Sequence, residues 1–265
     1  MFEPRLALAS LSGEADADWA LAGAGVAGAA FLGGIALDEP SRRGARALVA
    51  RDRQEFLPTD PLVFIDEQLS KVDARRRSDG PSIRPGINVR TTTVEPLEAV
   101  AHRCCTYDAI CELNAHCRQP ELTRVGCGET LMADTDRLVE FVSTAADTGA
   151  TVSVKLRAEV EGCDLVSLAE AIETAGGDAI HIDAMDSPGV VANVADATDL
   201  FVIANNGVRD RASVRTYVDA GAAAVSVGRP SRDPTGAVMH RVADAVAGAV
   251  GDEDASSGRD KRVIR

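Results

Sequence analysis

Lysine is almost absent from this sequence. Of 28 basic residues only Lys71, Lys155 and Lys261 are lysine, set against 41 acidic residues and a formal charge of −13. Aromatic residues make up only 3%. Such a composition fits a halophilic, high-salt cytoplasm, in which hydrated carboxylates keep the surface soluble. The basic footprint usual in nucleic-acid binders is missing. At molar salt the Debye length falls to about 3 Å, so bulk charge neither supports nor excludes an RNA partner.

Other absences narrow the class further. The six cysteines (104, 105, 111, 117, 127 and 163) form no C-x-x-C pair and no Cys/His cluster with zinc spacing. No charged-then-apolar leader opens the chain, so a reducing cytoplasm is expected and a disulfide scaffold is not. Ala20–Leu37 is uncharged and long enough to span a membrane by count. Its alanines and glycines make a poor single helix, and a helix end, a turn and a buried strand explain it better. Nothing resembles a Ser-His-Asp set or a metal-ligand set, so no metal is expected.

What is present is a strand–helix alternation. Strands are expected at Arg5–Ser10, Gly28–Leu32, Gly86–Arg90, Asp108–Asn114, Thr151–Leu156, Ala179–Asp183, Leu200–Asn205 and Ala223–Gly228. Helices are expected at Asp16–Ala24, Pro40–Arg51, Pro61–Arg77, Val94–Arg103, Asp134–Thr148, Asp164–Ala175, Arg211–Ala220 and Thr235–Val250. At 265 residues and 45% apolar content, the pattern predicts an α/β chain forming a single (β/α)₈ TIM barrel over residues 1–250. A doubly wound open sheet is the alternative. The polar stretch 251–265 is expected to be a disordered tail.

In such a barrel the active site lies at the carboxyl ends of the strands. There the sequence places Asn88 and Arg90, then Asn114 with Cys117 in its loop. Lys155 and Arg157 follow, then His181 and Asp183, each pair two residues apart and so on one face of its strand. Asn205-Asn206-Gly207 and Gly228-Arg229 end the last two strands, where backbone N–H groups and a helix start commonly bind phosphate. A lysine inside a buried strand, in a chain that otherwise uses arginine, suggests a need for a compact donor. Cys117, flanked by His116 and Arg118, suits either a nucleophile or a general acid.

From about Gly86 to Pro230 the order of motifs resembles that of the tRNA-dihydrouridine synthases. Asn114-Ala-His-Cys117 stands where that family has Asn-x-Gly-Cys-Pro, and Gly126-Cys-Gly-Glu-Thr-Leu131 is similar to its G-x-G-x-x-L turn. Val154-Lys-Leu-Arg157 resembles its V-K-x-R strand, Ile203-Ala-Asn-Asn-Gly207 its I-x-N-G turn, and Val227-Gly-Arg229 its I-G-R. The resemblance implies an FMN enzyme in which Cys117 is the general acid that protonates C5 of a uracil ring while hydride reaches C6. It implies cofactor contacts from Asn88, Lys155, Asn205, Asn206, Gly207, Gly228 and Arg229, with Lys155 at the flavin's pyrimidine edge. Substrate contacts fall to Asn114, Arg157, His181 and Asp183, and NAD(P)H is the implied electron donor. The sequence departs from the family in having His116 and Arg118 around the cysteine and Asp183 in place of a histidine. No C-terminal helical RNA-binding domain of the family's kind is expected after the barrel, which suggests a divergent archaeal branch. The expected substrate is uridine in tRNA. One alternative is a free pyrimidine or other small molecule, as for dihydroorotate dehydrogenases. The other is a non-catalytic barrel for a phosphorylated ligand, in which Cys117 and Lys155 would have no task.

Overall fold

The computed structural model describes residues 1–78, 80–185, 187–233 and 235–257. Eight parallel strands close into a barrel in sequence order: β1 (Leu6–Leu8), β2 (Ala29–Ala36), β3 (Arg84–Arg90), β4 (Ile110–Asn114), β5 (Thr151–Arg157), β6 (Ala179–Asp183), β7 (Phe201–Asn205) and β8 (Ala224–Val227). The chain is thus a single (β/α)₈ barrel, as the alternation predicts. Around it run α1 (Ala17–Ala22), α2 (Glu39–Val49), α3 (Pro61–Arg76), α4 (Val94–Thr106), α5 (Pro120–Thr123), α6 (Thr135–Ala146), α7 (Leu165–Thr174), α8 (Gly189–Ala197), α9 (Arg211–Asp219) and α10 (Ala237–Ser257). Among the described residues no helix is long and apolar enough to cross a membrane.

Aspartate starts most of these helices. Asp16, Asp38, Asp60, Asp134, Asp164 and Asp210 each accept a hydrogen bond from a first-turn amide, at α1, α2, α3, α6, α7 and α9 respectively. Asp38 and Asp210 complete capping boxes with Ser41 and Ser213. Part of the chain's acidity is therefore capping chemistry rather than surface solvation.

The strands divide their side chains between two cores, because alternate residues face opposite sides. One set, including Leu6, Leu8, Ile87, Val89, Val152, Val154, Ile180 and Ile182, packs outward against the helices. The other set fills the barrel: Ala7, Ala29, Phe31, Ile110, Ile203 and Ala224 form an apolar plug, closed below by Phe2 and Phe201. Above this plug the inward positions turn polar.

Three departures from the expected elements have physical reasons. β2 runs on to Ala36, because a register shift between Gly33 and Ile35 absorbs the Gly33-Gly34 pair within the strand. α8 was not anticipated between β6 and β7; its N-cap position is Pro188, which offers no side-chain cap. α10 continues beyond Val250 to Ser257, so the stretch expected as a tail from Gly251 begins inside a helix, and residues 258–265 lie outside the described residues.

Candidate active site

The polar layer starts with a buried carboxylate. Strand register sets Asn88 beside Glu112 and Glu112 beside Ser153, and the barrel's tilt brings His181 over them. Glu112 is 0% exposed. Its Oε1 accepts from Asn88 Nδ2 at 2.7 Å; its Oε2 meets His181 Nδ1 at 2.7 Å and Ser153 Oγ at 3.4 Å. The other imidazole nitrogen, Nε2, lies 2.8 Å from Ser226 Oγ on β8. Asn114 Nδ2 donates to Asn88 Oδ1 at 2.9 Å, and Asn114 Oδ1 accepts from the Cys117 amide at 3.3 Å. All these side chains are buried. Asn88, Asn114 and His181 therefore lie beneath the open site, Asn88 bonded to Asn114 and to Glu112, and His181 to Glu112 and Ser226.

Cys117 is seated by its loop. Its carbonyl accepts from the Glu129 amide at 2.9 Å. Gly128 makes this approach feasible: at φ +66° an added Cβ would stand 2.1 Å from the Cys117 carbonyl oxygen. Arg157 ties the same turn down through Glu129 Oε2 at 3.2 Å. The Cys117 side chain packs with Leu48, Leu122 and Cys127 and is 7% exposed. Next to it Arg90 is 2% exposed, bonded to Glu55 Oε2 at 2.5 Å and to Ser12 Oγ. Burial alone would lower the guanidinium's pKa, but Cys117 and Glu55 raise it and keep it charged. The guanidinium that lies against Cys117 is thus that of Arg90, whereas Arg118, beside it in sequence, is exposed. Cys127 is different: burial, with the Asp38 carboxylate nearby, pushes its thiol up to about 12, which makes it a packing residue.

A cavity of about 560 Å³ opens above this layer, within the range of small-ligand sites. Its walls bring together Lys155, Asp183, Asn205, Asn206, Gly207, Gly228 and Arg229, seven of the residues singled out from the sequence, and add His116 and Ser226. Asn206 Nδ2 donates to Asp183 Oδ1 at 3.0 Å, and the Asn206 carbonyl accepts from Tyr217 at 2.8 Å. Asn206 and Gly207 both adopt positive φ, +83° and +71°. An added Cβ on Gly207 would meet no atom within 4 Å, so that backbone faces open space. His116 Nδ1 is sealed from solvent without a partner, a polar atom left for a ligand. Open glycine turns, exposed Arg209 and Arg229, a buried lysine and an unpartnered ring nitrogen fit a phosphate-bearing, hydrogen-bonding ring system.

Burial and the neighbouring Lys155 hold both His181 and His116 below their ordinary pKa. Glu112 stays ionised: burial raises its pKa, but His181, Lys155 and Asn88 outweigh that and lower it. The unfolded chain takes up protons at these imidazoles below about pH 6.5, where the folded chain does not. Stability is therefore expected to fall as pH drops from about 6.5, and to fall further below about pH 4.5 as unfolded Glu112 protonates. Urea melts at pH 8, 6 and 5 measure this; a midpoint unchanged from pH 8 to pH 5 would show that the histidines are not held neutral.

A family model described as dihydrouridine synthase matches residues 45–235. The chain belongs to the dihydrouridine synthase family. Membership makes it a flavin-type oxidoreductase of the dihydrouridine synthase type. An uncharacterized protein of the archaeon Methanocaldococcus jannaschii is 26% identical over 222 residues, 78% of this chain and 81% of that protein. Among solved structures, DHODH from Eimeria tenella in complex with ferulenol aligns with TM-score 0.69 and 15% identity, covering 94% of this chain and 82% of that one. The tryptophan synthase complex of Pyrococcus furiosus provides a chain aligning with TM-score 0.56 and 14% identity, over 95% and 100%. These structural likenesses concern the fold.

In this family member several site residues had no clear sequence signal. Glu112 sits inside an apolar run, and only its two-residue spacing from Asn114 marks it as inward-facing. Ser226 and Glu55 are unremarkable in sequence, and closure of the barrel alone brings Ser226 to His181.

Proposed function

We propose that this protein is an FMN-dependent reductase of the C5=C6 bond of uridine in tRNA, with NADPH as electron donor. What supports the reading is the family match over 45–235, because that span contains Cys117, Lys155 and both glycine turns. When bound, reduced FMN would supply the hydride for C6. Asn206, Gly207, Gly228 and Arg229 would hold the cofactor phosphate, and the Lys155 ammonium would offset negative charge on the reduced ring. Asn205 steadies the same turn through its bond to the Asn206 amide at 2.8 Å. Cys117 gives its Sγ proton to C5, leaving a thiolate beside the Arg90 guanidinium. Asp183, on the cavity wall, contacts the base, while Arg157 holds the Gly128–Met132 turn in place.

The test is direct. In molar salt, titration with FMN is expected to give saturable binding, followed by a shift in the flavin absorption bands; no binding at FMN concentrations up to a millimolar rejects the reading. Dihydrouridine in tRNA from a deletion strain is expected to drop at one or more positions. A normal level, with FMN binding intact, points to a free pyrimidine instead. That second reading is favoured by His116 and Arg118, which stand where the family has glycine and proline and would reshape the substrate side.

A further inference from the structure

The hydrogen bonds around Glu112 have directions, and the directions have a single source. An ionised carboxylate only accepts. Asn88 must therefore turn its Nδ2 toward Glu112 Oε1, at 2.7 Å. Its Oδ1 then faces away and accepts from Asn114 Nδ2 at 2.9 Å. That leaves Asn114 Oδ1 toward the Cys117 loop, where it accepts the Cys117 N–H at 3.3 Å. On the other side Glu112 Oε2 requires the proton of His181 on Nδ1, at 2.7 Å. With the ring neutral, Nε2 accepts, and the Ser226 hydroxyl must donate to it at 2.8 Å. The only hydrogen of that hydroxyl is then committed inward. Ser226 lines the 560 Å³ cavity, and its Oγ then has only lone pairs left for whatever binds there.

The geometry points to Glu112 as the positioning residue of this site, orienting two chains of hydrogen bonds so that one holds the Cys117 loop and the other makes Ser226 an obligatory acceptor for an N–H or O–H of the bound ligand. Glu112 touches neither substrate nor cofactor; it acts through Asn88–Asn114 and through His181–Ser226. The inference rests on the FMN reading only for the identity of the ligand that Ser226 meets. FMN offers such donors in its ribityl hydroxyls and its ring N–H. The arrangement of the chains is a property of the protein alone.

Nitrogen-15 NMR of the full chain, labelled at histidine, reads the first half without any ligand. His181 is expected as the neutral Nδ1–H tautomer at pH 7.5. An Nε2–H tautomer or a doubly protonated ring in the wild type overturns the proposal. In Glu112→Gln the side-chain amide is able to donate to Nδ1, so the tautomer is expected to switch to Nε2–H; an unchanged Nδ1–H tautomer in a folded variant contradicts control by Glu112. Where Glu112→Gln does not fold, the wild-type tautomer and Ser226→Ala decide. Ser226→Ala is expected to raise the FMN Kd about tenfold, the effect of one lost hydrogen bond, and an unchanged Kd rejects the acceptor role. If the wild type binds no FMN, the cofactor reading falls while the tautomer measurement still judges the proposal.

Discussion

Cys117→Ala is expected to lower dihydrouridine formation by about 10²–10⁴-fold, the usual worth of a positioned general acid, with FMN binding unchanged. The two effects separate because the loop is held by backbone. The Cys117 amide bonds to Asn114 and its carbonyl to the Glu129 amide, and neither bond needs the thiol. Nor does Cys117 line the main cavity, whose wall is built from Lys155 and the turns after β7 and β8. The loss should therefore appear in kcat, with the flavin spectrum of the wild type retained. Turnover within about threefold of wild type would remove the general-acid role. Cys117→Ser is a useful companion, because the hydroxyl keeps the shape but holds its proton far more tightly than a thiol, while Arg90 keeps Glu55 as its carboxylate partner.

Arg90→Leu is expected to cost about 3–5 kcal/mol of stability, because removing one partner of a buried ion pair leaves the other uncompensated. Arg90 and Glu55 have side chains only 2% and 4% exposed. Glu55 lies in the segment between α2 and α3, and Ser12 lies after β1. The guanidinium thus fastens two loops to β3 at the mouth of the barrel. Urea denaturation of Arg90→Leu, Glu55→Leu and the double variant measures the coupling. Each single change should be strongly destabilising, and the double variant should lose much less than the sum. A loss under about 1 kcal/mol for Arg90→Leu would show that the pair does not hold these loops.

The order of elements was legible in the sequence because each barrel unit writes its own local signal. Thr151–Arg157 is a β-branched strand, aspartates mark six of the helix starts, and a glycine lies within three residues of the ends of α1, α6, α7 and α9. α8 was not legible: it begins without a capping side chain, so nothing local distinguishes it from a loop. The motif order from Gly86 to Pro230 likewise pointed to the family that the match over 45–235 bears out.

The candidate site divides along the same line. Strand alternation alone pairs Lys155 with Arg157 and His181 with Asp183, and strand ends alone gather Asn206, Gly207, Gly228 and Arg229. Both follow from period two and from chain order. Which of these face a ligand is a different matter. Closure of the barrel commits His181 to Glu112 and Ser226, buries Asn88 and Asn114 beneath the cavity, and leaves Lys155 and Asp183 on its wall. Cys117 shows the same division. The sequence by itself singles it out as a candidate proton donor and offers His116 and Arg118 as neighbours. Only the tertiary structure sets Arg90 against it, from a strand separated by a whole helix, because a charge acts through space and not along the chain.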